Sequence, residues 1–345
     1  MAAWWLYPIV GAFILSLAFT DLVRDLALKW GIVDVPSKPR KLHKEPMPLM
    51  GGAAIYFAFT LAVIPVLVLT DHFTAGDINN THFIGLLFGG WILLIGGILD
   101  DKYELKPSQS ILFPLLACLV AVASGIGVSK VTNPFGAPFE IGRSLSMAIS
   151  FVWLMAMIYT TKLLDGLDGL ATGVASIGSF MIALLALSVA YFQPDVALLA
   201  LIACAAMLGF LVWNMNPATI FLGEGGSTFV GFLLGSLAII SGSKFATALL
   251  AVGIPALDVA FVIFERWRLG KPLFHGGDRR HLHHKLLASG LSQRQVVYVY
   301  WLIATVFGVS TLIFSSWQKL LALSVLFVMM LVFAKIFSSK AEYES

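Results

Sequence analysis

Charge is scarce in this sequence. Asp, Glu, Lys and Arg make up 12% of its 345 residues, about half the share of an ordinary soluble domain. Apolar residues reach 59% and the mean hydropathy is +0.91. That balance excludes a water-soluble globule of this size and leaves a polytopic membrane protein. Cysteine is scarcer still. Cys118 and Cys204 both fall in apolar runs, where a thiol packs as a small hydrophobe, so neither a disulfide framework nor a thiolate metal site is expected. With a formal net charge of only +3, no nucleic-acid partner is expected.

What abounds is long apolar runs. Most approach the roughly 20 residues a helix needs to cross hydrocarbon. Eleven are predicted: Trp4 to Phe19, Leu49 to Leu69, Phe83 to Leu99, Ile111 to Ala123, Leu145 to Tyr159, Leu170 to Tyr191, Val196 to Trp213, Thr228 to Ser241, Phe245 to Phe264, Val296 to Phe314 and Leu320 to Phe337. The first lacks a basic n-region and a small-residue cleavage site, so it is expected to stay as an anchor. An odd number of spans puts the termini on opposite sides. With the N-terminus outside, 18 of the 22 Lys and Arg residues face the cytoplasm, and Lys130, Arg143, Lys244 and Lys319 do not. The positive-inside rule therefore predicts a cytoplasmic C-terminus.

In that topology the acidic and histidine motifs share the cytoplasmic side. Asp100 and Asp101 close the third span, Asp165 and Asp168 sit in DGLDG, Glu224 lies in GEGGS, and His281, His283 and His284 lie in HLHH. A transporter would place ionisable groups near the bilayer midplane, whereas a mouth position suits an enzyme joining a soluble substrate to a lipid-borne one. Other readings stand beside this one. A DD pair is also what a solvated helix end looks like, HLHH is also a basic patch on anionic headgroups, and GEGGS is also a flexible turn. In DGLDG the i, i+3 spacing predicts both carboxylates on one helical face, with glycines that allow close backbone approach. HLHH among many cations suits phosphate better than zinc, because no distant ligand stands at a recognisable spacing. GEGGS glycines also let backbone N–H groups cradle a phosphate. Asp258 lies inside the ninth span, where an ionisable group is functional by default, although an arginine partner would make it structural.

Five segments in order carry a resemblance: VDVPSKPRKLHKEPMPLMGG from Val33, GILDDKYEL from Gly97, LLDGLDGLATG from Leu163, NMNPATIFLGEGGSTFVGF from Asn214 and GDRRHLHHKL from Gly277. Together they resemble the polyprenyl-phosphate N-acetylhexosamine-1-phosphate transferase superfamily over nearly the whole chain. Asp278 before HLHH, with eleven spans, looks more like the branch that transfers N-acetylglucosamine 1-phosphate. The resemblance implies that a polyprenyl phosphate attacks the sugar-proximal phosphorus of a UDP-N-acetylhexosamine and releases UMP. It assigns Asp100 and Asp101 to the lipid-phosphate nucleophile or the metal, and Asp165 and Asp168 to the nucleotide site. Asn214 and Phe221 match uridine-pocket positions, and His281, His283, His284 and Arg266 match a loop closing over pyrophosphate and sugar. It also implies magnesium as cofactor, and a homodimer by analogy alone.

Two positions depart from the pattern. Where the resemblance implies NxxN before DGLDG, this chain has Tyr159 and Lys162, and where it implies GDxGS, this chain has Glu224. A basic residue expected near Ser110 and a glutamine expected at Pro114 are also missing. The altered asparagine and aspartate are the implied metal ligands. Lys162 is therefore expected to substitute for or compete with magnesium and to pair with Glu224, unless it snorkels to water and leaves the metal to Glu224, Asp100 and Asp101. The overall expectation is an all-α, polytopic, single-domain transferase over 1–345, with cytoplasmic loops near 24–48, 100–110, 160–170, 214–227 and 265–295. A catalytically silent relative that binds lipid phosphate or nucleotide is the alternative, and a transporter or flippase a distant third.

Overall fold

The apolar runs become helices whose ends are set by local signals. The structure, a computed structural model, describes residues 3–36, 45–76, 78–128, 130, 131, 133, 139–189, 191–242, 245–253, 256–258, 261 and 281–341. Among them the helices are α1 (Leu6–Trp30), α2 (Gly51–Leu69), α3 (Asn80–Tyr103), α4 (Pro107–Ser110), α5 (Leu112–Ala123), α6 (Arg143–Leu164), α7 (Leu170–Leu187), α8 (Pro194–Asn214), α9 (Gly223–Ile240), α10 (Phe245–Ala251), α11 (Leu282–Ala288), α12 (Gln293–Ile313) and α13 (Ser316–Ala341). Two short antiparallel ladders complete the regular structure, Val33–Asp34 with Met47–Pro48 and Lys130–Val131 with Phe139–Glu140.

Among the described residues eight helices are long and apolar enough to cross a membrane: α1 to α3, α6 to α9 and α12. Two expected spans appear as shorter apolar helices, Pro107–Ala123 and Ser316–Val332. The ninth expected span lies only partly within the described residues. Outer helices expose large side chains, such as Val68 at 72%, Leu69 at 79% and Ile313 at 76%. Faces of that kind suit lipid, while the backbone is satisfied inside each helix. By contrast α9 is buried along nearly its whole length, with α3 and α6 packed on it.

Glycine makes that central packing possible. A Cβ on Gly97 of α3 would stand 2.0 Å from the Gly225 backbone of α9, and one on Gly52 of α2 would stand 2.1 Å from Gly226. Gly225 and Gly226 of GEGGS therefore lie in helix crossings, and the segment opens α9 instead of forming a flexible turn.

Helix ends place the motifs together. α1 stops at Gly31, whose φ of 68° is the left-handed stop that glycine favours. α3 ends just past Asp101, α6 just past Lys162 and α8 at Asn214, while α7 and α9 start from the turns that follow. Each of these junctions lies at the same end of the bundle.

Candidate active site

Asp101 stands in the last turn of α3 and caps α9. Both its carboxylate oxygens accept the Glu224 backbone N–H, at 3.2 and 3.0 Å, and a Cβ on Gly223 would meet Oδ2 at 2.8 Å. A carboxyl oxygen that accepts a first-turn N–H is a favourable helix cap. Its neighbour Asp100 turns to the chain that follows α3, where Oδ1 accepts the Leu105 N–H at 3.0 Å and Oδ2 the Ser110 hydroxyl at 2.6 Å. Glu224 itself faces Lys162 of α6 as an ion pair.

DGLDG is a turn, not a helical face. Asp165 ends α6 with ψ of 51°, and Gly169 starts α7 at φ of 76°. The i, i+3 expectation therefore fails for a physical reason: α6 ends at Leu164 and α7 begins at Leu170, and glycines at 166 and 169 disfavour a helix running through the two carboxylates. Asp165 faces Glu224 and Asp168, and its burial pushes the carboxyl up to about 8, with those two charges adding to the rise. Asp168 Oδ2 accepts the Asn216 side-chain amide at 2.9 Å and the Ala218 N–H at 3.2 Å. Asn214 is buried: its oxygen accepts the Gly169 N–H at 3.0 Å and its amide donates to Ile220 O at 3.1 Å. It latches the turn to the loop after α8. Phe221 is half-buried, and its backbone pairs with Pro48 and Gly51, which ties this loop to the ladder after α1.

The histidines open α11. His281 precedes the helix, and its Nδ1 lies 2.8 Å from Asp258 Oδ2, while Asp258 Oδ1 accepts the Leu282 N–H at 2.9 Å. The partner of Asp258 is thus histidine where an arginine was the alternative. His283 stacks parallel on His281 with centroids 5.6 Å apart, and its ring lies against DGLDG so closely that a Cβ on Gly166 would meet Nε2 at 2.7 Å. Burial holds His283 well below the usual imidazole range, helped by His284 and His281. It is neutral at pH 7 and offers one donor and one acceptor. His284 is half-buried beside it. Arg266 lies outside the described residues.

Sequence reading missed the polar brace around Asp168. Asn216 bridges Asp168 and Gln293 at 2.9 Å each, and Arg294 Nε donates to Asn216 O at 2.8 Å. The Asn-Pro dipeptide at 216 marked a turn and was the available signal.

Known proteins place this arrangement. The model of glycosyl transferase family 4 matches residues 83–242. Over 95% of this chain and 92% of the other, the sequence is 34% identical to a probable undecaprenyl-phosphate N-acetylglucosaminyl 1-phosphate transferase of Bacillus subtilis. The chain belongs to glycosyl transferase family 4. It is also 29% identical to a decaprenyl-phosphate N-acetylglucosaminephosphotransferase of Mycolicibacterium smegmatis, across 93% of this chain and 85% of that one. An undecaprenyl-phosphate alpha-N-acetylglucosaminyl 1-phosphate transferase of Yersinia pestis is 25% identical, across 82% and 77%.

In this family 4 glycosyl transferase a lysine stands where the resemblance implies a neutral metal ligand. Magnesium takes near-octahedral oxygen ligands. Here the Lys162 ammonium, which carries no lone pair for a metal, stands against Glu224. Among the described residues no group of three or more His, Cys, Asp or Glu side chains is arranged to hold a metal ion.

Proposed function

We propose that the protein transfers N-acetylglucosamine 1-phosphate from UDP-N-acetylglucosamine to a polyprenyl phosphate at the cytoplasmic face of the cell membrane, the first membrane step of an envelope glycan. A lone pair on the lipid phosphate attacks the sugar-proximal phosphorus. The new P–O bond gives the lipid diphosphate sugar, and the bond to the bridging oxygen breaks with its electron pair leaving on UMP. Such transfer is mainly positioning plus charge stabilisation. The observation that carries the reading is the meeting of the DD end, the DGLDG turn, the start of α9 and the histidine helix at one end of the bundle. The family and its relatives' names supply the reaction class.

In this reading the neutral His283 donates to a diphosphate oxygen, His281 is aimed by Asp258, and the half-buried Phe221 ring offers a face to uracil. The chain crosses the membrane eleven times, with the N-terminus outside and the motif-bearing end in the cytoplasm. The lysine in place of an implied metal ligand favours a second reading, a family member that binds nucleotide or lipid phosphate without turnover.

Purified protein in lipid nanodiscs decides between them. Given undecaprenyl phosphate, radiolabelled UDP-N-acetylglucosamine and magnesium, the transferase moves label into extractable lipid with an equal yield of UMP. UDP binding without label transfer would leave the second reading.

A further inference from the structure

We infer that the Lys162 ammonium is the working cation of this site, holding the acceptor lipid's phosphate where the resemblance implies a divalent metal. The inference rests on the transferase reading above and deepens it. The last turn of α6 presents Lys162 to Glu224 on the first turn of α9, and their side chains keep 26% and 24% of their surface exposed. The pair is therefore reachable. It closes a narrow crevice between α3, α5, α6 and α9, walled by Leu93, Phe113 and Pro114 with Ser110 at the rim. The crevice itself has room for about one water, so a phosphate would meet the ammonium at its mouth, where the neighbouring Leu112 and Leu163 are exposed and suit a hydrocarbon chain. A free phosphate would gain nothing from those apolar side chains.

Two features make Lys162 a held cation. Its ammonium lies 5.7 Å from the centre of the Tyr159 ring, one turn back on the same helix, as well as against Glu224. An ammonium carries three donors and no acceptor, so it serves a carboxylate and phosphate oxygens at once. Asp101 serves the start of α9 and Asp100 accepts from Ser110 and Leu105, which leaves Glu224 as the acid paired with the ammonium. In the transfer the ammonium keeps its protons and its charge. It offsets the lipid phosphate while that group's oxygen forms the new bond to phosphorus and the electron pair of the broken bond leaves on UMP.

The test uses the full chain in nanodiscs with UDP-N-acetylglucosamine and undecaprenyl phosphate, assayed for UMP with EDTA and with magnesium. The wild type is expected to run equally in both. Lys162→Met is expected to lose roughly a hundred- to a thousandfold, as removal of a unit charge about 4 Å from a phosphate would give, and Lys162→Arg to retain most of the rate. Manganese binding, read by electron paramagnetic resonance, is expected to be absent at this site in the wild type. It is expected to appear in Lys162→Asn/Glu224→Asp together with EDTA sensitivity. Lys162→Met strands the Glu224 carboxylate and risks misfolding, so Lys162→Met/Glu224→Gln is run beside it. A full rate in that double variant makes the pair a mere structural link and overturns the inference. Wild-type activity abolished by EDTA and restored by magnesium overturns it while leaving the transferase reading intact. A wild type inert in both conditions that still binds UDP overturns both.

Discussion

At the scale of single residues, the Asp258–His281 pair joins α11 to the partly described ninth span. One carboxylate oxygen meets the ring and the other the backbone N–H of Leu282, so Asp258 fixes both the imidazole's orientation and the helix start. Asp258→Asn keeps the shape but turns an NH2 donor toward one of those two groups. Losing a hydrogen bond to a charged group costs about 1.5–3 kcal/mol, or roughly ten- to a hundredfold in rate. The expected outcome is a loss of that order in kcat. His281→Ala should lose as much, and the double variant should lose clearly less than the sum, because both changes remove the shared Asp258–His281 interaction. Losses that simply add would mean that Asp258 acts on something other than His281. The sequence announced Asp258 as significant, since an acid inside a span demands a partner. It did not name the partner, because His281 stands 23 residues away across a segment with no regular period.

At the scale of elements, the bundle is built around α9, and its approach to α2 and α3 depends on paired glycines. Gly97→Ala places a methyl group against backbone, which cannot rotate aside, and overpacking of that kind costs about 1–3 kcal/mol. The expected outcome is a clear drop in Tm with activity falling alongside. Gly11→Ala on α1, where an added Cβ meets nothing within 4 Å, should leave both unchanged. Equal behaviour of the two variants would contradict the close α3–α9 crossing. Helices were legible in the sequence because lipid demands long apolar runs, and their polar ends were legible because charge avoids hydrocarbon. Local backbone within the motifs was less so. DGLDG reads as a helical face from spacing alone, yet Gly169 adopts a left-handed φ and makes it a turn. GEGGS reads as a loop from its glycines, yet Gly225 and Gly226 serve helix crossings.

At the scale of the whole molecule, segments far apart in the chain converge on one end of a lipid-facing bundle. Asp101 reaches Glu224 across 123 residues, and Asp168 reaches Asn216 across 48. The histidine helix then closes on the same turn through His283 and Gly166. Which motifs would meet was foreseeable from their common side of the membrane. Of the side chains that touch, the Lys162–Glu224 pair was expected from the two departures, while the other contacts were not, since they depend on helix rotation that no periodicity fixes. The most direct measurement is an experimental structure of the protein in nanodiscs with UDP-N-acetylglucosamine bound. The diphosphate is expected between the DGLDG turn and the α11 histidines, with the lipid crevice at Lys162 opening beside it. A nucleotide bound away from that mouth, or a His283 ring parted from the turn by more than the ligand itself, would contradict the convergence on which the functional reading stands.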